Sequence, residues 1–212
     1  MSTRRYEHFC PMARALELIG DRWSLLLVRD LLRGRQRFTD LLGLCAGITP
    51  RQLTIGLRRL GDAGVVARDE SGRQVWYELT PRGRELEPAI DQLLAWGLRH
   101  ATGAPAPQEP VHAEHVLYGT RVALNEAAEA PPAPVTWMWQ FPDSAHTLHW
   151  DGTQWRLDDD SDTAPDVVVD TTPRDWAEFV TTPVARRALG EQVSVDGGHD
   201  AVAVFVRAFL NG

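Results

Sequence analysis

One predicted helix carries side chains that suit hydrogen bonding to the edges of DNA bases. Thr49 is placed to act as its N-cap, and Pro50 would occupy the first helical position. Leucines at 53, 57 and 60 recur at helical spacing and predict a single buried stripe. The predicted base contacts lie on the other faces of the helix: Arg51, Gln52, Thr54 and Arg58. Arginine forms paired hydrogen bonds with guanine and glutamine with adenine, so the helix fits a major groove. The alternative for the same residues is an ordinary solvated helix face.

A second group of basic residues suits the DNA backbone. Residues 65–79 predict a β-hairpin with a turn at 69–72, and Arg68 and Arg73 lie near its tip. Guanidinium groups there would contact phosphate oxygens, with ordinary exposed hairpin charges as the alternative. Four more contacts are predicted at the start of the base-contacting helix and of the short helix before it: Arg37, Thr39, Thr49 and Pro50.

The elements of the first hundred residues follow one another in the order of a winged helix. Helices are predicted at 11–19, 22–32, 38–42 and from Thr49 onwards, before the hairpin. Thr80 and Pro81 would start a last helix whose apolar residues exceed what one buried stripe needs: Leu86, Ile90, Leu93, Leu94 and Trp96. This surplus indicates a dimer contact, and a dimer would read two half-sites.

The charge of the chain is divided unevenly. Residues 1–100 hold 16 Arg against 12 Asp and Glu, whereas residues 101–212 hold 6 Arg against 17 Asp and Glu. The first part therefore carries +4 and the second −11, within a net charge of −7. A basic module can meet DNA and an acidic one should avoid it. The predicted organisation is a DNA-binding domain at 1–100, a proline-containing linker at 101–110 and a second domain at 111–212.

The second domain mixes strands and helices, so we expect an α+β fold for it and for the chain. Strands are predicted at 137–141, 147–150, 154–157, 166–170 and 192–195, with a tight turn at Asp151 and Gly152. Helices are predicted at 174–181, 183–190 and 200–210. Four tryptophans are candidates for lining an apolar ligand pocket, with an ordinary aromatic core as the alternative: Trp137, Trp139, Trp150 and Trp155.

Several short sequence motifs occur together in the first domain, in a fixed order and spacing. They include residues 18–23 (LIGDRW), 47–53 (GITPRQL) and 77–83 (YELTPRG). Any one of them is weak, but their combination resembles the HxlR family of winged helix-turn-helix regulators across roughly residues 8–97. The resemblance implies a homodimer on a palindromic operator in double-stranded DNA, with the helix from Thr49 in the major groove.

The second domain carries pieces of a different kind: residues 150–155 (WDGTQW), 165–170 (PDVVVD), 187–190 (RALG) and 195–198 (VDGG). Together they are similar to sterol-carrier-protein-like domains, in which a sheet and helices enclose an apolar cavity. This resemblance implies either a small lipophilic effector or a role in supporting the dimer.

Cys10 is a candidate redox residue because HxlR relatives often carry a sensing cysteine at this place. It precedes Pro11 at a helix start, with His8 and Arg14 nearby, and such surroundings lower a thiol pKa. The alternative is a packing cysteine, since free cysteine behaves as a small hydrophobe. Cys45, in a predicted loop, is expected to be inert.

Sequence patterns for metal binding, catalysis or membrane insertion are lacking. Neither a CxxC nor an HExxH spacing occurs, and no serine lies in a nucleophile-elbow sequence, so we expect no metal, cofactor or catalytic residue. No apolar stretch approaches the length of a membrane span, and charges come too early for a signal peptide. We therefore expect a cytoplasmic protein.

The sequence favours a transcriptional regulator, a repressor, that binds DNA as a dimer and responds to a lipophilic molecule. The alternative from another class is a lipid or small-molecule carrier whose winged helix serves only protein contacts. An enzyme built on the acidic half is the third interpretation.

Overall fold

The computed structural model describes residues 6–157, 163–182 and 192–210 and is of the α+β class. The chain divides into two compact units, Met1–Asp91 and Gln92–Gly212. This division falls inside helix α6, which spans Glu87–His100. The domain boundaries given above, at residues 100 and 110, stay a prediction.

The first unit has the elements of a winged helix in the expected order. They are α1 (Pro11–Ile19), α2 (Ser24–Leu32), β1 (Gln36–Arg37), α3 (Phe38–Leu44), α4 (Pro50–Asp62), β2 (Val66–Asp69), β3 (Trp76–Leu79) and α5 (Pro81–Arg84). The strands form an antiparallel sheet in the order β1-β3-β2. Strand β1 was not predicted, because two residues are too few to show an alternating pattern.

The single last helix expected from Thr80 is wrong, since the structure has two pieces. Helix α5 ends at Arg84, and α6 begins at Glu87 with Pro88 in its first turn. Proline has no backbone N–H, and its ring collides with the carbonyl four residues earlier, so a continuous helix through Pro88 is disfavoured. Pro88 is instead tolerated where a helix starts.

The core of the first unit lies between α2, α3 and α4. Leu27 and Leu31 of α2, Leu41 of α3, and Leu53 and Leu60 of α4 are fully buried. The predicted leucine stripe of α4 is therefore confirmed. Each such side chain contributes about 1.5–3 kcal/mol when removed from water, so this core fixes the orientation of α4.

The second unit contains a five-stranded sheet with helices against the face that carries its aromatic core. Its elements after α6 are α7 (Ala113–Glu126), β4 (Val135–Gln140), β5 (Ala145–Trp150), β6 (Trp155–Leu157), β7 (Val167–Asp170), α8 (Pro173–Thr181), β8 (Ser194–Gly197) and α9 (His199–Leu210). The strand order is β6-β5-β4-β7-β8, with β4 and β7 parallel and the other neighbours antiparallel. The helix predicted at 183–190 lies outside the described residues.

One helix of the second unit was not predicted, and one predicted turn is present. Helix α7 was missed because its residues 117–122 are buried without interruption, so no amphipathic period is visible. The tight turn predicted at Asp151 and Gly152 is present, with its centre one residue further along. In the β5–β6 register Asp151 lies opposite Gln154, and its N–H donates to the Gln154 carbonyl at 3.2 Å, so Gly152 (φ 98°) and Thr153 make the turn. The Asp151 carboxylate accepts hydrogen bonds from Thr153 and Gln154 inside this loop, and these bonds lower the Asp151 pKa.

The segment predicted as a linker is held in place within the second unit. Arg174 of α8 donates to the carbonyl oxygens of Ala106 (3.1 Å) and Glu109 (2.6 Å). At the end of α6, Arg99 forms an ion pair of 2.7 Å with Glu126 of α7. These contacts connect α6, the 101–110 segment, α7 and α8 within one compact unit.

Candidate nucleic-acid interface

The N-terminus of α4 is fixed by a reciprocal cap. The Thr49 hydroxyl accepts a hydrogen bond from the Gln52 N–H at 3.2 Å, and the Gln52 amide oxygen accepts one from the Thr49 N–H at 2.9 Å. Pro50 occupies the first helical position. The predicted start of the helix is confirmed, and the cap determines where its first turn lies.

One exposed face of α4 combines two arginines with shorter side chains. Arg51, Thr54, Ile55 and Arg58 are exposed and recur at helical spacing, so they share one face opposite the buried leucines. The Thr54 hydroxyl donates to the Pro50 carbonyl at 2.9 Å. Within the described residues, Arg51 and Arg58 have no hydrogen bond or ion pair. Their guanidinium groups are therefore available to an external partner.

Arg59 differs from its neighbours because it faces the protein. It is half-buried, donates to the Glu17 carbonyl oxygen and lies 3.3 Å from the Asp21 carboxylate. Arg59 therefore does not share the exposed face of Arg58. The reason is geometric: the residue before the buried Leu60 is at the edge of the apolar stripe, where its side chain reaches α1. Arg59 attaches α4 to the elements before it.

Gly56 lets α4 approach α2 closely. A Cβ atom at this position would lie 3.1 Å from the Leu27 Cδ1 atom, tighter than an ordinary contact. Glycine costs about 1 kcal/mol in a helix interior relative to alanine. The close approach of α2 accounts for a residue that the helix itself disfavours.

The residues predicted at the start of α3 are positioned by an ion pair. The Arg37 guanidinium donates two hydrogen bonds of 2.8 Å to the Asp40 carboxylate, which also accepts from the Arg37 N–H at 3.0 Å. This pairing lowers the Asp40 pKa and raises the Arg37 pKa. Thr39 is exposed beside them. Arg37 is therefore held in one orientation while it remains at the surface.

The hairpin is present with its basic residues near the tip. Arg68, on β2 opposite Tyr77, forms an ion pair with Glu70, and Arg73 is exposed in the connection to β3. Hydrogen bonds from the Ser71 hydroxyl and from the Ser71 N–H (2.8 Å) lower the pKa of the Asp69 carboxyl and stabilise the turn. The structure thus places both predicted phosphate contacts on the wing.

Trp76 and Arg35 lie on this surface but were not among the predicted contacts. Trp76, at the start of β3, has the guanidinium carbon of Arg35 4.6 Å from its ring centroid and that of Arg37 at 6.0 Å. Arg37 and Trp76 are direct cross-strand partners. The sequence analysis missed these two residues because it did not predict strand β1. That strand pairs with β3 and so brings Arg35 and Arg37 against the hairpin.

The two cysteines differ in their surroundings. Cys10 is half-buried at the N-cap position of α1, and its side chain makes no capping hydrogen bond. Cys45 is buried with its sulfur 3.3 Å from the Asp30 carboxylate. Burial, together with that negative charge, raises the pKa of Cys45 to about 12. The redox role of Cys10 stays a prediction.

The four tryptophans proposed for a ligand pocket are buried together in the second unit. The ring centroids of Trp137 and Trp155 are 4.3 Å apart, and those of Trp150 and Trp155 are 5.8 Å apart. Helices α8 and α9 add aromatic partners that the sequence prediction missed: Trp176, Phe179, Phe205 and Phe209. The indole nitrogens of Trp137 and Trp139 are buried and have no hydrogen-bond partner among the described residues. These tryptophans form the aromatic core, and their role as a pocket stays a prediction.

The part of the chain that the structure describes lacks two other kinds of feature. In that part of the chain, no group of three or more His, Cys, Asp or Glu side chains is placed to hold a metal ion. The helices described there include none of the length and apolarity needed to cross a membrane.

The fold and charged surface of the first unit define a winged helix-turn-helix protein, and comparison with known proteins identifies the family. Residues 18–104 match the HxlR-like helix-turn-helix family. An uncharacterised HTH-type transcriptional regulator of Bacillus subtilis, YybR, is 37% identical over 91 residues, which are 42% of this chain and 73% of YybR. This chain belongs to the HxlR-like family of HTH-type transcriptional regulators.

Other relatives match the same region. An uncharacterised HTH-type regulator of Synechocystis is 37% identical over 86 residues, covering 39% of this chain and 64% of the relative. The crystal structure of the regulator YtcD is 37% identical, covers 43% of this chain and 97% of YtcD, and has a TM-score of 0.42. The sterol-carrier-like assignment of the second unit stays a prediction.

Proposed function

We propose that this chain is a sequence-specific, DNA-binding transcriptional repressor whose helix α4 enters the major groove of an operator. The observation that carries the proposal is the exposed face of α4, where Arg51 and Arg58 are available opposite a fully buried leucine stripe. That helix belongs to the part of the chain with a charge of +4. Membership of a family of transcriptional regulators supports the same function.

Mapping the genomic sites bound by the full-length protein tests this proposal. We expect a limited set of sites that share an inverted repeat, and higher transcription from the neighbouring promoters when the gene is deleted. A variant with both Arg51→Ala and Arg58→Ala should lose those sites while retaining its fold. Binding without any shared sequence, or unchanged binding by the double variant, would count against the proposal.

We also propose that the protein acts as a homodimer. Leu93 and Trp96 of α6 are each 54% exposed, and Phe9 and Met12 beside and within α1 are 88% and 67% exposed. Large apolar side chains at this level of exposure are typical of surfaces that another protein covers. A two-fold dimer would place two copies of α4 about one turn of DNA apart, as a palindrome requires.

The second unit is proposed to bind a lipophilic effector that changes DNA affinity. Two buried indole N–H groups, on Trp137 and Trp139, lack an acceptor within the described residues, and such a group costs about 1–3 kcal/mol when left unpaired. An apolar ligand carrying a carbonyl or ether oxygen would supply one. Coupling of about 1–3 kcal/mol, or roughly 5–150-fold in affinity, is the usual range between two sites.

A titration separates this effector role from the alternative of a carrier whose winged helix makes only protein contacts. Tryptophan fluorescence would report binding of apolar compounds, and the same samples would be assayed for DNA affinity. For an effector-controlled regulator we expect ligand binding and a changed affinity for DNA in the same samples. We expect Trp137→Phe to lower the affinity for ligands that carry a hydrogen-bond acceptor more than the affinity for matched hydrocarbons. Ligand binding by a protein that binds no genomic site would favour the carrier.

A further inference from the structure

Trp76 organises two arginines that lie outside the base-contacting helix. It is the first residue of β3, the central strand of the sheet in the first unit, and its ring is half-buried. The Arg35 guanidinium carbon lies 4.6 Å from the ring centroid and that of Arg37 lies 6.0 Å from it. Both arginines are exposed. A single indole therefore gathers two positive charges at the surface.

Nearby acids neutralise the two arginines unequally. The Arg37 guanidinium is paired with the Asp40 carboxylate through two hydrogen bonds of 2.8 Å. Arg35 forms no hydrogen bond or ion pair with any residue that the structure describes. Arg35 interacts electrostatically with the Asp69 carboxylate, which belongs to the residue directly across from Trp76 on β2. Positive charge at Arg35 is thus left for an external anion.

Stacking on an aromatic ring uses the face of a guanidinium and leaves its N–H donors at the edge. Those donors match the oxygens of a phosphate in a forked geometry, whereas an ammonium acts as a point charge. Cation–π contact also restricts the rotamers of a long side chain, which reduces the entropy lost on binding. Trp76 can therefore hold a phosphate-binding group in place without competing for its hydrogen bonds.

We propose that Arg35 and Arg37, which lie against the Trp76 ring, bind a phosphate group of the DNA backbone beside the groove that α4 enters. Arg35 is the main phosphate ligand. Arg37, while paired with Asp40, is a second and weaker phosphate ligand. Trp76 is a positioning residue. The proposal rests on the proposed function, because it assumes that the first unit binds duplex DNA. A backbone contact fixes the register of the protein and carries no sequence information.

The salt dependence of DNA binding by the full-length protein tests the proposal. Affinity for a labelled duplex of random sequence, about three helical turns long, would be measured at several salt concentrations. Each phosphate neutralised contributes about 0.9 to the slope of log K against log salt. Arg35→Ala should reduce that slope by about 1 and weaken operator and random duplex by the same factor. Arg156→Ala, which removes the same charge from β6, should leave both quantities unchanged.

Variants of the ring and of the charge test the positioning role. Trp76→Leu should weaken binding as Arg35→Ala does, whereas Trp76→Phe, which keeps an aromatic face, should restore most of it. Arg35→Lys should keep the slope but bind less tightly, and thermal unfolding of each variant would show that the fold is intact. Inorganic phosphate at constant ionic strength should not displace DNA. Arg35-dependent binding of inorganic phosphate that leaves DNA affinity unchanged would indicate a site for free phosphate and overturn the assignment.

The outcomes separate this inference from the proposed function. A wild-type protein that binds duplex DNA, with a slope that Arg35→Ala leaves unchanged, overturns the phosphate-binding pair alone. A wild-type protein that binds no duplex overturns the proposed function and the pair with it. Three results together support both the proposed function and the phosphate-binding pair. Arg35→Ala reduces the slope of log K against log salt, Trp76→Leu reduces it equally, and Trp76→Phe restores it.

Discussion

Some of the side chains predicted to contact DNA also form hydrogen bonds that stabilise the fold, and others do not. Thr49 and Gln52 cap α4, so changing either one alters the helix as well as any contact. Arg51 and Arg58 have no such bond within the described part of the chain. Effects of arginine substitutions on the exposed face of α4 therefore report DNA contact more directly than effects at its cap.

We expect Arg51→Ala and Arg58→Ala each to weaken operator binding by about 1–3 kcal/mol, roughly 5–150-fold. Each guanidinium can pair with a guanine edge, and that pairing is lost with the side chain. Fluorescence anisotropy with an operator duplex and a mismatched duplex would measure the change. Arg156→Ala is the matched control for charge. Equal losses on both duplexes would mean that these arginines contact phosphate rather than bases.

Cys45 is expected to resist alkylation in the folded protein. With a pKa of about 12, only about one thiol in ten thousand is ionised at pH 8, and the thiolate is the reactive form. Timed labelling with iodoacetamide, followed by mass spectrometry, would compare Cys45 with Cys10 and with the unfolded chain. Rapid labelling of Cys45 in a protein shown to be folded would contradict the assignment of an inert thiol.

The same raised pKa has a consequence for stability at alkaline pH. The unfolded chain releases the Cys45 proton near pH 9.0, whereas the folded protein keeps it up to about pH 12. The unfolded state then binds fewer protons, so the free energy of unfolding falls as pH rises through this window. Cys45→Ser should flatten that decline in urea titrations carried out at several pH values; an unchanged decline would contradict the raised pKa of Cys45.

At the scale of elements, the position of α4 depends on contacts made away from its exposed face. Arg59 attaches it to Glu17 and Asp21, and Gly56 allows it to approach Leu27 of α2. The cap at Thr49 sets its first turn. A helix held at its start, middle and end presents its exposed residues in one orientation, which base recognition requires.

Gly83 marks a second place where elements come close together. Its N–H donates to the Thr80 hydroxyl at 3.1 Å, and a Cβ atom on it would collide with the Val65 carbonyl oxygen. We expect Gly83→Ala to lower the free energy of unfolding by about 1–3 kcal/mol, because backbone must move to admit the methyl group. Urea denaturation would measure the loss.

Gly43 of α3 is the matched control for Gly83. Nothing lies within 4 Å of a Cβ atom built on it. Gly43→Ala should therefore raise stability by about 0.5–1 kcal/mol, because alanine loses less backbone entropy in a helix. A loss of stability in Gly43→Ala equal to that in Gly83→Ala would show that crowding is not the cause.

At the scale of the whole molecule, the two units differ in charge and therefore in the partners that suit them. The first hundred residues carry +4 and the remainder −11. Phosphate attracts the former and repels the latter, so DNA affinity is expected to reside in the winged helix. The aromatic core and buried indole donors of the second unit favour an apolar partner instead.

Dimerisation is the prediction that concerns the whole molecule. Replacing Leu93 and Trp96 by Arg should convert a dimer into monomers and weaken operator binding, because a monomer contacts one half-site. Sedimentation velocity at micromolar concentration would show the change. Ala123→Arg, at an exposed position of α7, is the control and should remain dimeric. A wild-type monomer that still binds a palindrome tightly would rule out the proposed dimer.

Features of this protein that depend on local chemistry could be predicted from the sequence alone. Thr49 and Pro50 marked the start of α4, the leucine spacing identified its buried stripe, and turn residues located the wing. Caps and helical periodicity act within a few residues, so they can be read from the chain without knowing the fold. The charge division was also visible from the sequence, since it needs only residue identities.

Features that depend on contacts between distant segments became visible only in the folded structure. The inward role of Arg59, the aromatic partners of Trp137 and the stacking of Arg35 on Trp76 each join residues far apart in sequence. Helix α7 was hidden because burial on several sides removes the amphipathic pattern. Such contacts arise from packing and strand pairing, whose partners a local pattern does not specify.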